Sequence, residues 1–173
     1  NRQPMISMQE GELVAGYFIV SRNGLDIQYT QDSWLFKLEF LNQRRLGKTY
    51  YAGVGGIEHT IYGLNDRHDL GLLFEYQYDD RDPLYLPTTS SNDDIFIGFR
   101  YSLNDANDTV LLLGGVQDQK DQTMIYSFEA ETRIKSNWKA ELTARVFSNV
   151  HPNNNMYSIF KDDFIKLQIK NYF

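Results

Sequence analysis

Side chains able to do covalent chemistry are few in this sequence. The chain has three histidines and no cysteine in 173 residues, which removes thiolate nucleophiles, thiolate metal sites and disulfide scaffolds. His59 follows Glu58, His68 sits in Asn65-Asp66-Arg67-His68-Asp69, and His151 lies in the polar stretch 148–163. Activating water would take an imidazole held by a carboxylate, for instance His59 with an aspartate of Asp79-Asp80-Arg81-Asp82. Parity puts His59 on the apolar face of its segment, which suits an interfacial side chain better than a catalytic one; His68 and His151 read as turn and loop residues. Gly-x-Ser-x-Gly, phosphate-loop, His-Glu-x-x-His and calcium-loop motifs are missing. The sequence assigns no catalytic residue, no metal ligand and no cofactor, and an enzyme is not expected.

What remains is charge. With 17 Lys+Arg against 23 Asp+Glu and a net charge of -6, the chain lacks the basic footprint that nucleic acid requires. Lys37, Glu39, Glu75, Arg100, Glu129, Glu131, Arg133, Glu141, Arg145 and Lys166 fall on the polar side of alternating segments. Mixed signs on one face admit an internal salt-bridge network, since enclosed charges persist when paired, or a wet pore whose charged ring tunes passage. Around the turn at 135–137, one hairpin register sets Arg133 against Glu141 and Glu129 against Arg145, pairs also reachable diagonally.

Strands must carry these charges, because apolar and polar residues alternate with a period of two in segment after segment. Trp34, Phe36, Leu38 and Phe40 enclose Lys37 and Glu39; Leu70, Leu72, Phe74, Tyr76 and Tyr78 enclose Glu75 and Gln77; Ile95, Ile97, Phe99 and Tyr101 enclose Gly98 and Arg100. Met124, Tyr126, Phe128 and Ala130 repeat the pattern, as do Trp138, Ala140, Leu142, Ala144 and Val146, and then Ile165, Leu167, Ile169 and Phe173. Residues 50–64 change parity near Gly55-Gly56, which predicts a bulge there, and 110–117 are apolar on both faces. Asn23-Gly24 is a favoured hairpin turn and predicts paired strands at 13–22 and 25–31. The expectation is a single domain over 1–173 of about ten strands, or nine if 13–31 is one bent strand, with 1–12 as a poorly structured lead-in.

A mean hydropathy of -0.49 and the lack of an apolar run near ~20 residues exclude a helical membrane protein. Strands that meet lipid at every second residue escape that test. Turns at 31–33, 64–69, 104–108 and 135–137 are short, connections at 79–94 and 148–163 are long, and those at 42–49 and 117–123 are intermediate. An up-and-down meander separates its connections in this way. Aromatics gather at strand ends: Trp34, Tyr62, Tyr101, Trp138, Tyr172 and Phe173 toward the short turns, and Tyr50, Tyr51, Tyr76, Tyr78, Phe96, Tyr126, Phe147 and Phe164 toward the long ones. Two interfacial girdles would require that distribution.

The terminal stretch Asp163-Phe-Ile-Lys-Leu-Gln-Ile-Lys-Asn-Tyr-Phe173 resembles the closing strand of bacterial outer-membrane β-barrels, apart from Asn171, where an apolar or aromatic residue is usual. Gly24-Leu-Asp-Ile-Gln-Tyr29, Val54-Gly-Gly-Ile-Glu58, Asp69-Leu-Gly-Leu-Leu-Phe-Glu-Tyr76, Asp93-Asp-Ile-Phe-Ile-Gly-Phe-Arg100, Leu103-Asn-Asp105 and Trp138-Lys-Ala-Glu-Leu142 resemble the C-terminal portion of an uncharacterised proteobacterial outer-membrane β-barrel family, over most of 24–173. The resemblance implies an all-β, antiparallel transmembrane β-barrel in a Gram-negative outer membrane, or the C-terminal part of a larger barrel, with Phe173 as the signal read by the barrel-assembly machinery. It implies outer-membrane lipid and lipopolysaccharide as surroundings and brings no activity.

An opening Asn without an initiator Met reads as a processed chain or a fragment. The acidic runs Asp79-Asp80-Arg81-Asp82, Asp93-Asp94 and Asp162-Asp163 read as solvated loop charge ahead of a divalent-cation site bridging lipopolysaccharide. The functional expectation is a passive, channel-like or structural barrel with a mixed-charge interior lined by the charges named above. The alternatives are a hydrolase at the outer-membrane rim and a soluble, lipocalin-like ligand-binding barrel with its apolar face inward.

Overall fold

A computed structural model describes residues 2–9, 12–45, 47–82, 89 and 92–173. The alternating segments form strands throughout. β1 (Arg2–Gln9) and β2 (Glu12–Ile19) pair as a separate antiparallel sheet. β3 (Ser21–Gln31), β4 (Trp34–Arg45), β5 (Lys48–Leu64), β6 (His68–Asp79), β7 (Asp93–Ser102), β8 (Val110–Asp118), β9 (Met124–Lys135), β10 (Trp138–Ser148) and β11 (Phe164–Asn171) form a nine-stranded antiparallel meander in chain order. Among the described residues there is no α-helix; one 3-10 turn, Asn155–Ile159, lies in the last connection, where the Asn154 side chain accepts from Met156 N at 2.8 Å.

Hydrogen-bond register carries each strand's alternation across the sheet. Tyr29, Phe36, Ile57, Phe74, Ile97, Gly115, Tyr126 and Val146 are successive partners in one apolar row. One residue along, Gln28, Lys37, Gly56, Glu75, Phe96, Val116, Ile125 and Phe147 make the corresponding row of the opposite, polar face. Burial is opposite to that of a water-soluble core. Phe36, Phe74 and Leu113 are 41%, 43% and 51% exposed, whereas Arg45, Asp94, Gln43 and Tyr50 on the polar face are 3%, 2%, 6% and 6% exposed.

Several expectations are corrected. Asn23 and Gly24 are not a turn: they lie within β3, opposite Asn42 and Leu41, and neither has the positive φ that a type I′ hairpin needs. Within the segment 1–12, Arg2–Gln9 is β1, and residues 1, 10 and 11 lie outside the described residues. No bulge interrupts Gly55-Gly56; the β5 ladder runs unbroken there, so Ala52 and Val54 belong to the polar face, and the irregularity falls between Ile61 and Leu64, where Gly63 takes φ 70°. The connection expected at 42–49 shrinks to 46–47, because β4 and β5 remain paired out to Arg45 and Lys48. Of the aromatics assigned to girdles, Tyr50, Phe96, Phe147 and Phe164 are on the polar face.

The sheet is open rather than closed into a barrel, with β3 and β11 as its edges. Both edge strands run from the end bearing the 80–92 and 149–163 connections toward the end bearing the 32–33 and 136–137 turns. Direct closure of nine antiparallel strands would therefore place β3 and β11 parallel.

Candidate functional site

All the sequence-selected charges lie on one face. Register places Lys37 and Glu39 (β4), Glu75 (β6), Arg100 (β7), Glu129, Glu131 and Arg133 (β9), Glu141 and Arg145 (β10) and Lys166 (β11) on the polar side. Glycines let charges on alternate strands meet over the strand between them. Gly56 separates Lys37 from Glu75 along one row, and their Nζ–Oε1 distance is 3.9 Å; a Cβ on Gly56 would stand 3.0 Å from Glu75 Cγ. Arg100 Nη1 donates to Glu58 Oε1 at 2.8 Å past Gly71, whose Cβ would lie 3.4 Å from that oxygen. The Phe96 ring covers Gly98 and Gly114 so closely that a Cβ on either would fall 2.6 Å from a ring carbon.

The β9–β10 register corrects the anticipated pairs. Arg133 faces Lys139, Glu131 faces Glu141 and Ser127 faces Arg145, a shift from the proposed pairing of Arg133 with Glu141. Like charges directly opposite one another repel, and diagonal contacts relieve the repulsion. Lys139 reaches Glu131 diagonally and lies 3.9 Å from Glu141, whose Oε1 also accepts from Lys170 Nζ at 2.6 Å. Arg133 turns to Asp108 in the adjoining connection, at 2.6 Å. Arg145 is not paired with Glu129; its guanidinium carbon stands 6.0 Å from the Phe164 ring centroid. Glu39, Glu129 and Lys166 form no ion pair among the described residues.

At the end bearing the longer connections, the polar face is buried at Gln43, Arg45, Asp79, Asp94 and Asp118. Arg22 Nε and Nη2 both donate to Gln43 Oε1, at 3.2 and 2.8 Å. Arg81 Nε grips both oxygens of Asp79 at 2.9 and 2.8 Å. Asp79, Asp94 and Asp118 are 7%, 2% and 6% exposed, so the reading of Asp79 and Asp94 as solvated loop charge is corrected. They continue the polar parity of Glu75-Gln77 and of Phe96-Gly98-Arg100, a signal present in the sequence, and Glu58 follows the same rule. Beyond the strands, burial pushes the Asp121 carboxyl up, but hydrogen bonds from Asn154 Nδ2 at 2.7 Å and Thr123 N at 2.9 Å outweigh it and hold the group below its ordinary value.

The histidines are dispersed. His59 lies on the apolar face opposite Trp34 and Leu72, stacked on Trp34 at 4.1 Å, with Nδ1 3.2 Å from Ser33 Oγ. His68 Nδ1 is 2.9 Å from Leu103 O, and His151 Nδ1 accepts from Asn153 N at 3.4 Å. The aspartates of 79–82 are not hydrogen-bonded to an imidazole among the described residues. Asn171, the departure from the closing-strand pattern, pairs with Trp138 at the final register position of β11, and Phe173 beyond it is fully exposed. Comparison with protein-family models, curated proteins and solved structures finds no match to this chain.

Proposed function

We propose that the chain is an integral β-barrel protein of a Gram-negative outer membrane, or the C-terminal part of a larger barrel. Its apolar face meets lipid, and its polar face lines an enclosed, mixed-charge interior of passive, channel-like or structural role. The inverted burial carries this reading: large apolar side chains are exposed while Gln43, Arg45, Glu58, Asp79, Asp94 and Asp118 are covered. Water would drive the opposite arrangement; hydrocarbon favours this one. A bilayer also requires every strand edge to be paired. Because β3 and β11 run the same way, antiparallel completion takes an odd number of further strands, which favours membership of a larger barrel.

Assembly through Phe173, contact with lipid and lipopolysaccharide, and outer-membrane location rest on the resemblance of the closing strand. The deciding measurement is solubility and folding of the purified chain with and without detergent. Dependence on detergent, together with a heat-modifiable gel shift, supports the reading, and planar-bilayer conductance then separates a pore from a filled scaffold. A monodisperse, folded chain in plain buffer, with Phe36, Phe74 and Leu142 shielded from solvent, overturns it.

A further inference from the structure

Buried aspartates on the loop-side rim of the polar face are treated unequally. Asp79 has its own guanidinium in Arg81. Asp94 and Asp118 stand directly opposite each other on β7 and β8, and neither forms an ion pair among the described residues. Asp118 Oδ1 accepts from the backbone N–H groups of Lys120 and Asp121 at 2.7 and 3.3 Å, leaving Oδ2 with a 3.5 Å contact from Asn154 Nδ2. Asp94 Oδ2 is buried with no hydrogen-bond partner, on a residue only 2% exposed. Asn92 Oδ1, two positions back along the chain, is buried without a partner as well. The Asn92 carbonyl accepts from Asp79 N at 3.1 Å, which ties that residue to the end of the β6–β7 ladder.

Both orphaned atoms are acceptors, and each is short of a donor or a cation. Two neighbouring carboxylates without counter-charge sharpen that shortage, because burial removes the water that would solvate them. We propose that Asp94, Asp118 and Asn92 bind a hard divalent cation of the calcium class at the loop end of the polar face. Calcium accepts carboxylate, amide and water oxygens in flexible geometry, whereas magnesium demands a near-ideal octahedron. No third carboxylate or imidazole converges there among the described residues, so water completes the shell. The site goes beyond the membrane reading and does not depend on which solvent meets the apolar face.

The test is thermal unfolding of the full chain, in whichever of detergent or buffer keeps it monodisperse, with Ca²⁺ titrated at constant ionic strength after treatment with EDTA. The expected result is a saturable rise in melting temperature with a Kd on the order of 10⁻³ M or tighter. Mg²⁺ should have a weaker effect. Asp118→Asn should weaken binding about tenfold or more, since affinity follows ligand charge. Asp94→Asn keeps the shape, relieves the repulsion and so folds without the ion, yet loses the response; Asp162→Asn, in the exposed loop, retains it. Equal shifts with Na⁺ at matched ionic strength would reduce the effect to screening and overturn the site. Stabilisation by acid without a calcium response would assign a shared proton instead. A response that survives in the Asp94→Asn/Asp118→Asn double variant, or no response in the parent chain, also overturns it.

Discussion

On one face of the meander, Tyr29, Phe36, Ile57, Phe74 and Ile97 lie side by side with no charge among them; one residue along, Gln28, Lys37, Gly56, Glu75 and Phe96 form the other face. The backbone is shared, and the two faces differ in what fills the space above it. A Cβ on Gly55, on the apolar face, would meet nothing within 4 Å, whereas Gly56, its neighbour on the polar face, lies under Glu75, and Gly98 and Gly114 lie under Phe96. Ion pairs gather on the polar face, while aromatic stacks such as Tyr29 on Phe36 and Phe40 on Tyr51 run along the apolar one. Under the membrane reading proposed above, the polar face is the interior surface and the apolar face the exterior one.

Charge is the harshest probe of that contrast. Leu72→Arg or Leu142→Arg on the apolar face should cost roughly 2–4 kcal/mol near a bilayer midplane and sharply reduce the folded fraction on a heat-modifiability gel. The same substitution at Gln77 or Thr143, on the polar face, should be tolerated far better. Equal tolerance at both sets would refute the assignment of faces.

Steric substitution tests the contrast next. Gly98→Ala or Gly114→Ala must displace the Phe96 ring and should cost about 1–3 kcal/mol in denaturant unfolding, as overpacking does. Phe96→Ala in the same chain should recover much of that loss. Gly55→Ala, with open space above it, should be neutral or gain up to about 1 kcal/mol from reduced chain entropy. If all of these alanines behave alike, the polar face is not the packed one.

Ion pairs give smaller effects, graded by exposure. Glu58 and Arg100 side chains are 11% and 45% exposed, so Glu58→Gln should cost about 1–2 kcal/mol, between the exposed and buried extremes. Arg133→Ala breaks the pair with Asp108, whose members are 51% and 68% exposed, and should change stability by no more than about 1 kcal/mol. A larger loss at Arg133 than at Glu58 would reverse the proposed gradient across this face.

The smallest effect is local. In the connection 103–109, the backbone N–H of Thr109, and then its hydroxyl, bond the Asp105 carboxylate and hold its pKa below the ordinary value of 3.8. A depressed folded-state pKa contributes stability above the unfolded value and loses it as pH falls through the folded one. Hydrogen exchange at Thr109 N–H should stay slow, after correction for intrinsic rates, down to about pH 4 and accelerate below it. Asp105→Asn should abolish that acid transition.

Strand identity was legible because alternation is a property of neighbouring residues. The segments built on Trp34-Phe36-Leu38-Phe40, on Leu70-Leu72-Phe74 and on Trp138-Ala140-Leu142 all appear as strands with the anticipated residues on each face. Where a favoured local signal opposed a long ladder, the ladder prevailed. Asn23-Gly24 could form a turn, but keeping Gly24, Leu25 and Ile27 extended pairs β3 with β4 along its whole length. The apolar side chains of Ala52 and Val54 mimic a parity change near Gly55, yet register sets them opposite Leu41 and Glu39 on the polar face, away from the face of Ile57.

Residue order is enough to establish an alternating, strand-built chain with mixed charge on one side and aromatics concentrated on the other. Side-chain direction in a strand depends only on parity, so those properties need no distant partner. The assembled sheet was needed to set the pairing of Lys139 with Glu131, the covering of Glu58, Asp94 and Asp118, and the open β3 and β11 edges. These depend on register between separate strands, where sliding one strand by two residues preserves every face yet gives every charge a new partner.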